Sequence, residues 1–280
     1  MNEILIINDE ATQGVQAAEY AFMLAKLLSK NLLVANISHF EKVGSRKKIQ
    51  LVSGLNEFPV HDLGDEEPVT DLISRLNTLS ASETAFKPEV NVVNMSGVSE
   101  MDLAVFINHS QISLMIYGIQ TTTTVVNSSL DVQLILNRVA CPLLLVPAAY
   151  NVRNLERIVY LTDLRFCLTS ILGYLARLNR ENKNILLAHL CAEGMVDLAD
   201  GYASDLFNQQ VRRNIPGTPL SFTHIKEKDV NRSVDVLINT MQADLLVCVN
   251  RQFHFKAILG ERIASVLPEF ISIPILIFPY

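Results

Sequence analysis

Two aspartates stand at matching places in this 280-residue chain, each closing a short apolar run: Ile4-Leu5-Ile6-Ile7-Asn8-Asp9 and Ile158-Val159-Tyr160-Leu161-Thr162-Asp163. A carboxylate at the end of a strand has two uses. It caps the next helix by accepting an N–H near the positive end of the helix dipole, or it holds a polar ligand group beside the strand ends. Thr121 to Thr124, Ser128 and Ser129 add hydroxyl donors that suit an anion or a solvated loop. Arg251, His254 and Lys256 add cationic groups for a smaller anion, or the polar side of a surface loop. Covalent chemistry is not indicated, for the chain has no G-x-S-x-G elbow, no His-Glu-x-x-His and no paired-carboxylate motif. His189 reads as a satisfied, half-buried histidine. The six histidines and four cysteines are scattered, with no C-x-x-C and no two soft ligands at i, i+3 or i+4 on one predicted helix, so no metal site is expected. The chemistry on offer is non-covalent binding, and no enzyme active site is expected.

These side chains need a scaffold. The run 4 to 7, β-branched and bounded by Asn-Asp, suits a strand covered on both faces in a parallel sheet. From Thr12 to Lys30, Val15, Ala18, Phe22, Ala25 and Leu28 recur at spacings of three and four, which predicts a helix laying one apolar stripe on that sheet. Further strands are expected at 32–37, 90–93, 114–117 and 143–146, with helices near 66–80, 98–109 and 130–138. Residues 41 to 65 hold Gly44, Gly54, Pro59 and Gly64 without a clear period and read as irregular. The same order returns with strands at 157–161, 185–190, 220–225, 244–249 and 274–278, and helices near 167–180, 196–213, 230–242 and 258–267. Cys141-Pro142-Leu143-Leu144-Leu145-Val146-Pro147 is echoed by Ile273-Pro274-Ile275-Leu276-Ile277-Phe278-Pro279. The chain is therefore a tandem repeat of a unit of roughly 130 to 150 residues. Alternating strands and helices with right-handed crossovers make each unit a doubly wound α/β domain with a parallel five-stranded sheet. The units are assigned to residues 1–150 and 151–280, with the polar stretch Ala148 to Asn154 between them.

Composition narrows the partners. With 49% hydrophobic and 19% charged residues the chain is globular rather than disordered. A net charge of −6 argues against a nucleic-acid partner, and Arg46-Lys47-Lys48 is short enough to be a solvated loop. No apolar stretch approaches the ~18 to 20 residues of a spanning helix, so no membrane partner is expected. The start of the chain lacks the features of a signal peptide and the cysteines suit a reducing compartment, so a cytoplasmic location is expected.

The chain resembles the universal stress protein family in its tandem two-domain form. The residues that carry the likeness are the Ile-Leu-x-x-x-Asp opening of the first half and its counterpart in the second, Leu187-Ala188-His189-Leu190, Ala243-Asp244-Leu245-Leu246-Val247, and the Cys-Pro and Ile-Pro strands. The resemblance covers nearly the whole chain and implies an adenine-nucleotide alpha hydrolase-like fold, with the units packed as a pseudo-two-fold pair. It also implies that Asp9 and Asp163 lie near an adenosine moiety and that Ile37 and Leu190 pack against adenine. ATP-binding members carry a loop after strand four with two glycines three apart and a third about ten residues on, followed by Ser or Thr. Glycine lets the backbone approach a triphosphate, and successive N–H groups make an anion-binding nest. Here Gly118 matches the first glycine, Thr121 replaces the second, and Ser129-Leu130 falls near the third. In the second half Val249 and Gln252 replace the first two, and Gly260 survives but precedes Glu261, whose carboxylate would repel a phosphate.

The reading that follows is a non-catalytic stress-response protein with degenerate nucleotide loops, serving as scaffold or sensor and needing no cofactor. The alternatives are an ATP- or AMP-binding module using the first half, where Asp9 and Gly118 remain, or a carrier of another small ligand. Apolar fifth strands left free would expose unpaired backbone groups, so each is expected against the other within the chain. A homodimer of whole chains is a further possibility.

Overall fold

The computed structural model describes residues 3–9, 14–37, 67–81, 86–95, 97–120, 130–179, 184–191, 197–264 and 266–280. The stretch 41–65, with Arg46-Lys47-Lys48, lies outside them. The first half contributes β1 (Ile4–Asp9), β2 (Leu32–Ile37), β3 (Val90–Asn94), β4 (Leu114–Ile119) and β5 (Leu143–Pro147). The second contributes β6 (Ile158–Leu161), β7 (Ile185–Leu190), β8 (Leu220–Ile225), β9 (Leu245–Val249) and β10 (Ile275–Phe278). Together they form one sheet in the order β3-β2-β1-β4-β5-β10-β9-β6-β7-β8. Each half is doubly wound, and its central strands are buried from end to end because helices cover both faces.

The helices are α1 (Val15–Leu28), α2 (Glu67–Ala81), α3 (Glu100–His109), α4 (Val132–Leu136), α5 (Thr169–Leu178), α6 (Asp200–Leu206), α7 (Val230–Asp235) and α8 (Phe253–Leu259). The apolar stripe of α1 is buried through Phe22 and through Ala17, Ala18, Ala21 and Ala25, the small size of the alanines letting the helix lie close to the sheet. Ser99 starts α3 by accepting the Asp102 N–H, and Asp131 starts α4 by accepting that of Leu134. Two helices end in π-helical turns, Phe207–Val211 after α6 and Val236–Thr240 after α7.

One element differs from the sequence-based expectation. The last helix spans Phe253–Leu259 rather than 258–267, so His254 and Lys256 lie on a helix and not in a loop. His254, Phe255, Ile258 and Leu259 form its buried side, a spacing hidden in the sequence by the neighbouring Arg251 and Lys256. Gly260, at φ +79°, ends the helix in a conformation that a side chain would strain.

The halves join fifth strand to fifth strand. β5 and β10 are antiparallel, with Leu144 opposite Leu276 at the centre and Leu143–Ile277 and Leu145–Ile275 on either side. All six side chains are buried, and each stabilises the junction by about 1.5–3 kcal/mol relative to exposure. A polar cluster reinforces it: Gln133 donates to Asn250 at 2.9 Å, and Asn250 donates to Asn137 at 2.9 Å. The segment after β5 is fixed by Asp244, which accepts the backbone N–H groups of Glu156 at 3.0 Å and Arg157 at 2.9 Å. Arg153 also pairs with Asp244 at 2.6 Å, but its half-exposed side chain makes that contact the weaker contribution. Asp244→Ala is therefore expected to cost about 2 kcal/mol, mainly through the two N–H bonds, as a fall in the urea midpoint with unchanged slope. Arg153→Ala should cost less than half as much.

Candidate functional site

The ends of parallel strands in a doubly wound sheet face a crevice where the connections diverge. In the first half Asp9 and Ile37 are paired at the ends of β1 and β2, both 2% exposed. Gly118 lies near the end of β4, the neighbour of β1 on its other side. Three of the residues singled out from the sequence thus occupy three adjacent strand ends. Thr121 and Ser129, with the rest of the hydroxyl-rich run, lie outside the described residues. The floor is polar but self-satisfied at Asn8, whose side-chain amide donates to Asn36 at 3.0 Å in a buried pair. Gly14 brings the start of α1 down onto this floor, since a Cβ there would lie 3.1 Å from Asn8 Oδ1 and 3.2 Å from Leu72 Cδ1.

The second crevice is furnished differently. Asp163 caps the 3-10 turn Leu164–Phe166, accepting the Arg165 N–H at 3.1 Å, while the Arg165 guanidinium grips the same carboxylate at 3.0 Å through Nε and 2.5 Å through Nη2. Burial works to raise the pKa of Asp163, but the Arg165 hydrogen bonds and charge outweigh it and hold the carboxyl below its ordinary value. Leu190 is fully buried at the end of β7, opposite Ile225. Gly260 belongs to the end of α8 rather than to an anion nest. Lys256 and Glu261 are exposed and paired with each other at 3.1 Å.

His254, on the first turn of α8, is 2% exposed, and its Nε2 has no hydrogen-bond partner. Burial pushes its pKa down to about 4, with His189 acting in the same direction and Asp163 against it. The imidazole is therefore neutral at pH 7. The cationic trio expected from the sequence does not form a cradle, because one member is a buried neutral histidine and another is an ion-paired lysine. His189 is wholly buried, with Nδ1 3.4 Å from the Thr162 carbonyl oxygen.

Beside this crevice the sheet brings together residues that the sequence reading left apart. His189 of β7 pairs in register with His224 of β8, and Cys191 follows directly after β7. The ligand atoms of these three side chains all lie within 4.8 Å of one another. Cys191 Sγ is 2.6 Å from His224 Nε2 and 3.5 Å from Asp197 Oδ1, and His224 Nδ1 is 3.0 Å from Asp200 Oδ1. Burial and the contact with Asp197 raise the pKa of the Cys191 thiol. No spacing along a single helix marks this group, because its members come from β7, the residue just after it, and β8. The usable signal was the period of two that places His189 and Cys191 on one side of the sheet.

The same arrangement of two doubly wound halves occurs in solved structures. A universal stress protein from Archaeoglobus fulgidus DSM 4304 aligns over 99% of this chain and 96% of its own, with a TM-score of 0.57 and 12% identity. The chain has the universal stress protein fold. A functionally unknown protein from Pseudomonas aeruginosa PAO1 aligns over 100% of this chain and 92% of its own, with a TM-score of 0.53 and 12% identity. No protein-family model and no curated protein matches the chain. Among the described residues no helix is long and apolar enough to cross a membrane. Within the universal stress protein fold the two crevices are thus unequal, Asp9, Ile37 and Gly118 lying together at the first while at the second Arg165 grips Asp163 and His254 is buried.

Proposed function

We propose that this chain is a universal stress protein-like stress-response protein that acts without catalysis, as a scaffold or sensor, on nucleotide loops that have degenerated. The observation that carries the reading is the three-residue turn 250–252 between β9 and α8, which holds no glycine. A glycine loop there would let the backbone close around a triphosphate, whereas here Val249, just before the short turn, and Gln252, at its end, both carry side chains. Val249 and Gln252 lead into that helix, Gln252 N bonding back to Val249 O at 3.2 Å. Asp163 supports the same reading, since a ribose hydroxyl would have to displace the Arg165 guanidinium that grips it.

A second reading has its own support. Asp9, Ile37 and Gly118 meet at three adjacent strand ends, and ATP or AMP held in the first half would use them. Adenine content of the freshly purified chain, released by denaturation and measured by chromatography, separates the two. The leading reading predicts far less than one equivalent per chain and no ATP hydrolysis above buffer. One equivalent that disappears in Asp9→Ala would instead establish the first-half nucleotide site.

A further inference from the structure

The cluster at the ends of β7 and β8 has no part in the nucleotide reading, yet it has the composition and geometry of a ligand set. Two imidazoles and a thiol converge within 4.8 Å, and Asp197 adds a carboxylate oxygen 3.5 Å from Cys191 Sγ and 4.0 Å from His224 Nε2. We propose that His189, Cys191 and His224, with Asp197 as the fourth ligand, bind one divalent transition-metal ion of the zinc class.

The spacing fits. Zinc bonds of about 2.3 Å to sulfur and 2.0–2.2 Å to nitrogen or oxygen place tetrahedral ligand atoms about 3.3–3.6 Å apart. Of the separations to Asp197, the 3.5 Å to Cys191 Sγ lies within that range and the 4.0 Å to His224 Nε2 must close by about 0.5 Å. The 2.6 Å between Cys191 Sγ and His224 Nε2 must open by about 1 Å, which rotation of the partly exposed Cys191 side chain supplies. Asp197 is 81% exposed and free to close on an ion arriving from solvent, whereas His224 is 7% exposed and His189 is wholly buried.

The surroundings of His224 match the role of a metal ligand. Its Nδ1–H donates to Asp200 at 3.0 Å, which leaves the lone pair on Nε2, the nitrogen facing Cys191. Lys226 holds Asp200 from the other side at 2.9 Å. A carboxylate behind a ligating imidazole fixes the ring and increases its basicity. A thiolate and two imidazoles favour zinc-class ions over magnesium or calcium, and one thiolate with one carboxylate balances a 2+ charge.

Two of these residues, Cys191 and His224, also resemble a nucleophile arrangement, with Asp200 behind the imidazole. A catalytic thiolate needs electropositive surroundings. Here the Asp197 carboxylate lies against the sulfur and opposes its ionisation, whereas a metal cation turns that carboxylate from a penalty into a ligand.

The test uses the full chain, purified with chelator, freed of it and titrated anaerobically with Co²⁺ and then Zn²⁺. The expected result is one Co²⁺ per chain with a thiolate-to-cobalt charge-transfer band and intense tetrahedral d–d bands, all lost on adding one equivalent of Zn²⁺. Cys191→Ser should lose the charge-transfer band, and His224→Gln should bind at least about 10-fold more weakly. Asp200→Asn should keep the spectrum but bind about 10- to 100-fold more weakly. Circular dichroism in chelator checks folding of each variant. The proposal is overturned by a weak octahedral spectrum without charge transfer, by a band that persists in Cys191→Ser, or by alkylation of Cys191 at the same rate with and without Zn²⁺.

Discussion

Leu276→Asp is expected to remove most of the stability of the chain. Leu276 sits at the centre of the antiparallel junction, opposite Leu144, and both side chains are 1% exposed. Truncating such a leucine costs about 2–5 kcal/mol, and an aspartate adds the cost of a carboxylate with no partner between two apolar strands. The sum is on the order of 5 kcal/mol or more, against a typical total of about 5–15 kcal/mol. The variant should unfold at far lower urea than wild type or fail to accumulate as folded protein, and Leu276→Ala should fall between them. Because the ten strands form one sheet through this junction, wild-type unfolding should follow a single transition by circular dichroism and by tyrosine fluorescence. An unchanged midpoint for Leu276→Asp would mean that the halves do not meet through β5 and β10.

Acidification from pH 6.5 to pH 4 should cost about 3 kcal/mol through His254 alone. The folded chain holds this imidazole neutral with a pKa of about 4, whereas an unfolded histidine titrates near 6.5. The unfolded state therefore binds the proton first as pH falls, so the stability is fully present above about pH 6.5 and is lost toward pH 4 at up to about 1.4 kcal/mol per pH unit. His254→Gln, compared with wild type by urea unfolding in chelator, should show a shallower loss across this window. Asp163 acts in a lower window. Its pKa is depressed by Arg165, so its contribution persists above the unfolded carboxylate value and fades as pH falls below it. Parallel pH profiles for wild type and His254→Gln would assign the buried histidine no such role.

The sheet was legible in the sequence because the central strands are short, largely apolar runs, the pattern of a strand covered on both faces. Even the pairing of the fifth strands followed from their apolar character, since Leu143–Val146 and Ile275–Phe278 left free would expose unpaired backbone groups. The site was less legible. Arg251, His254 and Lys256 read as a cationic loop, but Phe255, Ile258 and Leu259 supply the apolar spacing that turns residues 253 onward into a helix and buries His254. Asp163 carried two readings, capping and ligand holding, and beyond the cap on the Arg165 N–H its carboxylate is held by the Arg165 guanidinium, whose rotamer no sequence pattern fixes. The cluster of His189, Cys191 and His224 requires the register between β7 and β8, a tertiary fact that periodicity along either strand cannot provide.

The second crevice is the centre of the account, and calorimetric titration of nucleotide-stripped Asp9→Ala protein with Mg-ATP tests it most directly, since the first-half site is silenced. The account predicts no saturable heat up to millimolar ATP, because the turn between β9 and α8 holds no glycine and Arg165 grips Asp163. Saturable binding of one equivalent by this variant would contradict it.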